Sequence, residues 1–516
     1  MSHNPIPKTS SKLGETMNLR NLKQMLEETA KEVPQQTAVV LGSRKVSYRE
    51  LDETSSRIAN ALISLGTKKG DHVAILMSRT PEWVINCFGA LKAGAAAVLL
   101  DSGSKAPELE PQLRESDSKI LITEERFSPL LSPVLASAPL LKHVLKIDSE
   151  PYKQMVADSS PTSPPVDIKG EDEAILFYTL GVLGKNKGVV HTHSSFLSIL
   201  PIVVEKFELE RDDVVLGLLP FNYLLGFGLV VLMPIKRGCT IAILPHFSSK
   251  SILDTIQREK ATMLIGVPAS FNAMAMIDEE TIKSYDLTSL REVLCAGAKS
   301  SAFFLDMLEK KFHLTACEIY GLTELIIVTI GAIRDRKLGT AGKPLAELKV
   351  VDKNGKEVPR GSIGEAVARA PWMMREYYKA PQLTAQVLKD GWFRTGDLVK
   401  LGEDGYLEFI EKTSPIIVPS GGVKILPAAV EEVLLKHHAV AETACVGVLD
   451  DYKGQLPTVF IVLREGQSAT PDEIRDFCRQ SLSEYKVPKQ IKFVDSLPRT
   501  ESGEIDRKRL SLTKDS

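Results

Sequence analysis

The sequence alternates between segments typical of buried strands and segments typical of helices, and this alternation limits the possible folds. A short apolar run, His72–Met77, is followed by a helical pattern over Pro81–Lys92 and then, after Gly94, by a second apolar run, Ala95–Leu100. Strand–helix–strand units of this kind build parallel sheets that are covered by helices on both faces. The sequence therefore predicts an α/β fold.

One helix start can be placed from a short polar signal. Ser47-Tyr-Arg-Glu50 has the spacing of a capping box, in which the serine and glutamate side chains each bind a backbone N–H group at the helix start. The apolar residues Leu51, Ile58 and Leu62 then recur at helical spacing, and Gly66 ends the pattern. The pattern predicts a helix that begins directly after Ser47.

Length and a change of pattern predict more than one domain. A chain of 516 residues is too long for a single hydrophobic core. Near residues 404–423 the sequence changes to turn residues and short strands, and after Pro427 a helix rich in glutamate and leucine begins. We therefore expect a flexible polar tail at residues 1–16, a large N-terminal domain of parallel or mixed sheets at residues 17–412, and a small α+β C-terminal domain at residues 413–516.

Composition excludes several classes of protein. A formal net charge of −2 gives no electrostatic reason to expect nucleic acid or an anionic membrane as a partner. The longest apolar runs, such as Ala95–Leu100 and Phe227–Met233, are far shorter than the roughly 20 residues of a membrane span. The six cysteines are scattered without a Cys-x-x-Cys pair, which favours reduced thiols over disulfides or zinc. These features predict a cytoplasmic protein.

A glycine- and lysine-rich segment is the first candidate for a binding site. Tyr178-Thr-Leu-Gly-Val-Leu-Gly-Lys-Asn-Lys-Gly188 follows the apolar strand Ala174–Phe177. Closely spaced glycines let backbone N–H groups converge on a phosphate, and a lysine supplies the opposite charge. The spacing is not that of a Walker loop, and on its own it equally fits a turn between strands. The nearby His191-Thr-His193 has no third ligand close in sequence, so we do not expect a metal there.

Further segments occur in a fixed order after this loop. They are Leu219-Pro-Phe-Asn-Tyr-Leu-Leu-Gly226, Gly266-Val-Pro268, Ala296-Gly-Ala298, Ile319-Tyr-Gly-Leu-Thr-Glu324, Gly342-Lys-Pro344, Gly391-Trp-Phe-Arg-Thr-Gly-Asp397 and Pro498-Arg-Thr-Glu-Ser-Gly-Glu504. Together they resemble the adenylate-forming superfamily, which includes acyl-CoA synthetases, 4-coumarate–CoA ligase, luciferases and peptide-synthetase adenylation domains. The resemblance covers nearly the whole chain, and the pair Tyr-Gly-x-Thr-Glu and Gly-Trp-x-x-Thr-Gly-Asp is highly specific.

The resemblance implies a two-step ligase with an acyl-CoA synthetase-like fold. A carboxylate attacks ATP to give an acyl-adenylate and pyrophosphate; the mobile C-terminal domain then rotates, and the thiol of coenzyme A (CoA) displaces AMP. The positions that match the family's nucleotide-binding residues are Thr179, Lys187, Ala296, Gly297, Ala298, Tyr320, Gly321, Asp397 and Lys412.

The resemblance also implies individual roles. Tyr320 would stack on the adenine that Ala296–Ala298 borders, and Asp397 would bind the ribose hydroxyls. Thr323 would contact the α-phosphate, and Glu324 would hold magnesium. A carboxylate suits both a ribose diol and a hard cation.

The phosphate loop departs from the family pattern. The family has Thr-Ser-Gly-Ser/Thr-Thr-Gly-x-Pro-Lys-Gly, and its hydroxyl groups hold the leaving pyrophosphate. Here Leu180, Val182 and Leu183 replace those hydroxyl groups, while Thr179 and Lys187 remain. Each lost charge-assisted hydrogen bond costs roughly 1–3 kcal/mol. The substitutions predict weak pyrophosphate binding.

The C-terminal region departs at two further points. Glu504 replaces the lysine that neutralises charge in the adenylation step, so its charge opposes that step. The family's hinge motif, Arg-x-Asp/Lys, falls on residues 413–415, where Pro415 fixes φ and restricts a hinge. Lys412 could replace the hinge arginine. The C-terminal loop that approaches the site for thioester formation keeps Gly421 and Gly422, although a Gly-Gly pair also fits a plain turn.

Three functions remain open. The favoured one is a non-adenylating ligase that takes preformed acyl-AMP, supplied by a separate adenylating ligase, and makes acyl-CoA. The second is a complete ATP-dependent acyl-CoA synthetase that uses ATP, magnesium and a small carboxylic acid. The third is a catalytically silent acyl-adenylate-binding regulator. The preference for the first function follows from the roles of the lost and retained residues.

The acyl group is only partly constrained. The family segment that lines the acyl tunnel often carries a histidine, and here Tyr223 occupies that position. With Phe221 and Gly226, it marks the segment expected to contact substrate. Its apolar side chains favour an apolar acid of medium or larger size, and they equally suit core packing.

Overall fold

The computed structural model of the protein describes residues 19–180, 186–412, 417, 419, 425–450, 454–499 and 505–512. The expected tail at residues 1–16 lies outside this part of the chain. The described helices are α1 Leu22–Glu32, α2 Tyr48–Ser64, α3 Pro81–Lys92, α4 Ala106–Glu115, α5 Ser128–Leu131, α6 Glu150–Asp158, α7 His193–Lys206, α8 Met233–Arg237, α9 Ser249–Glu259, α10 Pro268–Ala275, α11 Glu279–Lys283, α12 Ala302–Phe312, α13 Pro381–Val387, α14 Pro427–Leu434, α15 Pro471–Ser481 and α16 Arg507–Ser511. A π-helical segment, Gly226–Leu232, precedes α8.

The strands of the N-terminal region form three sheets. In chain order they are β1 Thr37–Leu41, β2 Arg44–Ser47, β3 His72–Leu76, β4 Ala96–Leu99, β5 Ser118–Thr123, β6 His143–Lys146, β7 Glu173–Leu180, β8 Asn186–Thr192, β9 Val214–Gly217, β10 Thr240–Ile243, β11 Met263–Gly266, β12 Glu292–Cys295, β13 Thr315–Tyr320, β14 Thr329–Gly331, β15 Lys343–Pro344, β16 Glu347–Val351, β17 Ile363–Arg369, β18 Glu376–Tyr377, β19 Leu388–Lys389, β20 Trp392–Leu401 and β21 Leu407–Lys412. The C-terminal strands are β22 Val440–Asp450, β23 Gly454–Leu463 and β24 Gln490–Phe493.

Two of these sheets have parallel centres with antiparallel edges. One has the order β15-β14-β13-β12-β11-β9-β10-β1-β2, and its strands from β13 to β1 are parallel. The other has the order β18-β8-β7-β4-β3-β5-β6, and in it β8 is antiparallel to both of its neighbours, β7 and β18. A third, antiparallel sheet joins β16, β17, β20 and β19, and β21 pairs with β20. The predicted α/β class is confirmed.

Local signals placed individual elements well. The strand–helix–strand unit of β3, α3 and β4 is present, with His72 opposite Ala96 in a parallel pair. Ser47 caps α2 by accepting a hydrogen bond from Glu50 N at 3.1 Å. The Glu50 carboxylate instead accepts a hydrogen bond from Arg44, so the predicted start is right but the reciprocal bond of the capping box is replaced by an ion pair.

The C-terminal unit, defined as the described residues from 425 to 512, has its own core. In it β22 and β23 are antiparallel and β24 adds in parallel. Its buried side chains, among them Val430, Leu434, Val459 and Ile474, form clusters separate from those of the N-terminal sheets. The smaller α+β unit that the sequence predicted is therefore present.

All six cysteines are buried and unpaired by disulfides. Across the described helices, none has the length and hydropathy that a membrane crossing requires.

Candidate active site

Three side chains from different elements meet where the two parallel sheets adjoin. Lys187 on β8 lies 2.8 Å from Glu324 Oε1, in the loop after β13. Tyr377 on β18 donates a hydrogen bond to the same carboxylate oxygen at 2.7 Å and accepts one from Lys187 Nζ at 2.6 Å. The three groups form a closed triangle, although their residues lie up to 190 positions apart in the sequence.

Charge and burial fix the protonation states of this triangle. Burial alone would raise the pKa of Glu324, but the Lys187 charge and the hydrogen bonds from Lys187 and Tyr377 outweigh it and lower that pKa. Burial and the neighbouring Glu324 raise the pKa of the Tyr377 hydroxyl. At neutral pH the site therefore holds a carboxylate, a neutral phenol and a lysine.

A buried hydroxyl lies beside this triangle. Thr179 is the direct antiparallel partner of Lys187, and such partners project their side chains to the same face. Thr179 Oγ1 is buried and has no hydrogen-bond partner among the described residues. An orphan hydroxyl next to an ammonium group fits an anionic ligand such as a nucleotide phosphate, because buried polar atoms are rarely left unpaired.

The loop that carries Thr323 and Glu324 is tightly folded. A Cβ at Gly321 would lie 2.0 Å from Ile326 O, so only glycine fits there. Ile326 has φ of +50°, which is rare for a β-branched residue. His191 Nε2 donates a hydrogen bond to Thr323 O at 2.6 Å, and burial lowers the pKa of His191 to about 4, so the ring is neutral. This bond fixes the backbone at Thr323.

A second pair joins the loop to the antiparallel sheet. Tyr320, the last residue of β13, donates a hydrogen bond to Asp397 Oδ2 on β20 at 2.7 Å. Both are buried, and the Tyr320 ring lies 5.8 Å from the ring of Phe409 on β21. Asp397 is the register partner of Lys412, whose backbone ends β21. The two residues expected at adenine and ribose are thus adjacent.

The segment expected along the adenine follows β12. Ala296 is buried and donates a hydrogen bond to Gly266 O at 3.0 Å, which joins it to the Gly266-Val-Pro268 motif. Gly297 has φ of +84°, a conformation that other residues adopt only with strain. The chain turns there, and Ala298 is exposed.

The expected substrate segment divides between core and cavity. Phe221 is buried against Trp83, with ring centroids 5.4 Å apart, so it packs in the core. Tyr223 is half-buried and donates a hydrogen bond to Asp101. A Cβ at Gly226 would lie 1.8 Å from Pro220 O, so the turn there requires glycine.

A small apolar cavity lies beside this segment. Its wall includes Leu224, Leu225, Gly228, Ile326 and Ile327, together with side chains of α7. It has room for about one water molecule. Ile326 therefore links the cavity to the loop that carries Glu324.

Several predicted residues lie outside the described part of the chain. They are Val182, Leu183, residues 413–415, Gly421, Gly422 and Glu504. For Leu180 and Lys412 the structure describes the backbone but not the side chain.

Two residues of the site were missed from the sequence. Tyr377 carries no sequence signal, because the tyrosine pair in Arg-Glu-Tyr-Tyr has no characteristic spacing. The sequence offers His191 only as a possible metal ligand beside His193. Instead His191 binds Thr323 O, and His193 Nδ1 accepts a hydrogen bond from Leu22 N at 3.2 Å.

The chain belongs to the AMP-binding enzyme family. The model of that family matches residues 26–378, and the model of the AMP-binding enzyme C-terminal domain matches residues 429–504. Within this class the protein is an acyl-CoA synthetase-like member of the adenylate-forming superfamily and an enzyme of the acid–thiol ligase type. A feruloyl-CoA synthase of Amycolatopsis sp is 32% identical over 479 residues, which is 92% of this chain and 94% of that protein.

Two solved structures are similar over almost the whole chain. An anthranilate CoA ligase in complex with anthranoyl-AMP is 28% identical with a TM-score of 0.75, covering 96% of this chain and 97% of that one. A double mutant of o-succinylbenzoate CoA synthetase from Bacillus subtilis, bound with a CoA product analogue, is 27% identical with a TM-score of 0.83, covering 96% and 99%.

Proposed function

We propose that the protein is a non-adenylating acyl-CoA ligase, which converts a preformed acyl-AMP and CoA into acyl-CoA and AMP. In this step the thiol sulfur forms a bond with the acyl carbonyl carbon, and the bond from that carbon to the phosphate oxygen breaks. AMP leaves with both electrons of that bond, and the thiol proton passes to solvent. Neither ATP nor an oxidant is required.

The docked C-terminal unit supports the thioester step, which a complete synthetase would share. Tyr485 and Lys486 of that unit contact Asp101 and Glu108 of the N-terminal region. The TM-score is 0.83 to the neighbour that holds a CoA product analogue and 0.75 to the one that holds an acyl-AMP, and the identity and coverage of the two are nearly equal. The arrangement of the two regions supports a pose for thioester formation.

The observation that carries the proposal is the loss of residues that serve the adenylation step. Leu180, Val182 and Leu183 replace hydroxyl groups that would hold pyrophosphate, and Glu504 replaces a cation. An apolar loop and a carboxylate both disfavour a charged leaving group. The residues that contact the AMP part, by contrast, are retained. We infer that a separate adenylating ligase supplies the acyl-AMP.

The described residues have separate tasks in this reaction. Asp397 and Tyr320 bind and orient the nucleoside, and Lys187 with Thr179 binds the phosphate that becomes AMP. The Glu324 carboxylate holds the Lys187 ammonium in place, and His191 fixes the Thr323 backbone beside it. Magnesium, when bound, neutralises phosphate charge, and Glu324 is the carboxylate of this site that could hold it.

The cavity beside Leu224 and Ile326 supports an apolar acyl group. Its walls offer apolar side chains, so a charged or strongly hydrated acyl end would lose its water without replacement. Because the cavity is small, an acyl chain must displace side chains of its wall. We therefore propose an apolar carboxylic acid as the source of the substrate. The six buried thiols are compatible with a reducing compartment, and we propose the cytoplasm.

A second candidate is a complete ATP-dependent synthetase. The Thr179 hydroxyl, which has no hydrogen-bond partner among the described residues, is compatible with it, because Thr179 and Lys187 together fit an anion in either half-reaction. A silent adenylate-binding regulator would keep the same pair without turnover.

Calorimetry and turnover test the proposal together. Octanoyl-sulfamoyl adenosine, a stable acyl-AMP mimic, should bind more tightly than ATP, and octanoyl-AMP with CoA should yield octanoyl-CoA. Carboxylate-dependent exchange of pyrophosphate into ATP would favour the complete synthetase, because tight binding of the mimic is expected of either enzyme. Binding of the mimic without octanoyl-CoA formation would favour the silent regulator.

A further inference from the structure

Two carboxylates of the N-terminal region bind the C-terminal unit. Glu108 lies in the first turn of α4, where its Oε2 accepts a hydrogen bond from Lys105 N at 2.9 Å. The same oxygen accepts a hydrogen bond from Ser483 N at 3.2 Å and another from Ser483 Oγ, and Oε1 pairs with Lys486. Ser483 and Lys486 follow α15.

This ion pair is buried across the interface. The side chain of Lys486 is 8% exposed and that of Glu108 is 11% exposed. Removing charges from water is costly unless they are paired and hydrogen-bonded, and removing one partner leaves the other uncompensated. The pair therefore favours one docked position of the C-terminal unit over any position that separates these residues.

The second carboxylate joins the C-terminal unit to the acyl segment. Asp101 follows β4, and its Oδ2 accepts hydrogen bonds from Tyr485 OH at 3.2 Å and from Tyr223 OH at 3.1 Å. The Tyr485 ring also packs on the core of the C-terminal unit. Burial raises the pKa of both phenols, so both donate at neutral pH.

Tyr223 precedes the residues that form the cavity wall. Leu224 and Leu225 line the cavity, and Tyr223 O accepts a hydrogen bond from Phe227 N at 2.8 Å. A shift of this short segment therefore moves the cavity wall and the Asp101 contact together. Asp101 Oδ2 therefore bridges Tyr223, which lies next to the cavity wall, and Tyr485 of the C-terminal unit.

We propose that Asp101 and Glu108 are positioning residues for thioester formation, which hold the C-terminal unit against the acyl-binding segment through Tyr485, Ser483 and Lys486. This inference rests on the proposed function, because it assigns the docked pose to the CoA step. Asp101 further couples that pose to the acyl cavity through Tyr223. Neither carboxylate contacts the triangle of Lys187, Glu324 and Tyr377 in the described structure.

Charge reversal tests the ion pair. Lys486→Glu and Glu108→Lys should each lower kcat for octanoyl-AMP with CoA by at least about tenfold, because a buried charge then meets a like charge. The affinity for octanoyl-sulfamoyl adenosine should stay within about twofold, since neither residue contacts the nucleotide site. The double variant, Glu108→Lys with Lys486→Glu, should be faster than either single variant.

Matched controls change the same charges outside the interface. Lys489→Glu alters an exposed lysine near Lys486, and Glu110→Lys alters an exposed glutamate on α4 that pairs with Arg114. Both controls should retain the wild-type rate. Tyr485→Phe keeps the ring and removes only the hydroxyl that binds Asp101, so it should fold and show a smaller loss of kcat. Thermal unfolding of each variant checks that it is folded.

Small-angle X-ray scattering gives a readout that needs no turnover. The radius of gyration of full-length Lys486→Glu should exceed that of the wild type, because the C-terminal unit separates. Equal scattering, wild-type kcat in both single reversals, or a double variant no faster than the slower single variant would overturn this inference. Absence of turnover in the wild type would overturn the proposed function instead, whatever the scattering shows.

Discussion

Lys187 Nζ lies 2.8 Å from Glu324 Oε1, and this contact joins β8 of one parallel sheet to the loop after β13 of the other. Both side chains are largely buried, at 19% and 9% exposure. The cation expected to bind phosphate and the carboxylate expected to hold magnesium are therefore partners of one another. A bound phosphate or magnesium ion must therefore either break this contact or bind through atoms of Lys187 and Glu324 that the contact does not use.

The first prediction concerns the pH dependence of stability. The pKa of Glu324 in the folded state is lowered from 4.5, so its contribution is fully present above that value and is lost as pH falls through the folded-state pKa. Glu324→Gln should cost about 1–3 kcal/mol near neutral pH. The cost should stay constant down to about pH 5 and shrink only as the pH falls below 4.5 towards the lowered pKa, so the useful range runs from pH about 6 to about 3. Urea unfolding of both proteins across this range measures it; a constant difference would contradict the assigned charge state.

The second prediction concerns Asp397. Asp397→Ala should weaken binding of octanoyl-sulfamoyl adenosine by about 1–3 kcal/mol, because it removes a charged acceptor from the expected ribose site. Tyr320→Phe keeps the ring and removes only the hydroxyl bonded to Asp397, so its effect should be smaller. Asp404→Ala, at an exposed ion pair with Lys337, is the control. Calorimetry showing unchanged affinity for Asp397→Ala would rule out the ribose assignment.

The third prediction compares two glycines of the acyl segment. Gly226→Ala would place a Cβ 1.8 Å from Pro220 O, so the turn must open, at about 1–3 kcal/mol of stability. Gly228→Ala meets no atom within 4 Å and lines the cavity. It should leave stability almost unchanged and disfavour bulky acyl groups. Guanidine unfolding and turnover with acyl-AMPs of increasing length measure the two effects, and equal destabilisation would contradict this account of the turn.

Elements with local signals could be predicted from the sequence. The helix expected over Pro81–Lys92 is α3 with those bounds, and Ser47 caps α2 as expected. These signals lie within one or two helical turns of the residues they place, so no tertiary information is needed. The ordered motifs likewise indicated residues that meet in the structure, since Lys187 contacts Glu324 and Tyr320 contacts Asp397, while their roles in binding stay predictions.

Contacts between distant elements could not be predicted in the same way. Tyr377 reaches Glu324 across 53 positions, and Lys486 reaches Glu108 across 378. Neither pair has a characteristic spacing, because the partners meet only through the packing of separate sheets and units. The sequence left Phe221 open between the substrate and the core, and in the structure it packs on Trp83. An aromatic residue suits a core and a pocket equally well, so its type alone does not separate the two roles.

The fourth prediction concerns restoration of adenylation. Leu180→Ser, Val182→Thr and Leu183→Thr rebuild the phosphate loop, Glu504→Lys restores the cation, and Pro415→Asp frees the hinge. Each change alone should leave adenylation near background, because the other defects remain. The combined variant should gain far more than the product of the single effects, as coupled catalytic groups do. Single-turnover kinetics of both half-reactions test this. Full adenylation from Glu504→Lys alone would contradict it, as would loss of thioester formation in that variant.

The half-reaction that the protein performs decides most directly between a non-adenylating ligase and a complete synthetase. The deciding measurement is carboxylate-dependent exchange of labelled pyrophosphate into ATP, with a wide panel of apolar acids, beside turnover of octanoyl-AMP with CoA by the same preparation. For a non-adenylating ligase we expect exchange at background for every acid and clear formation of octanoyl-CoA. Robust exchange with any acid would contradict it and identify the protein as a complete ATP-dependent synthetase.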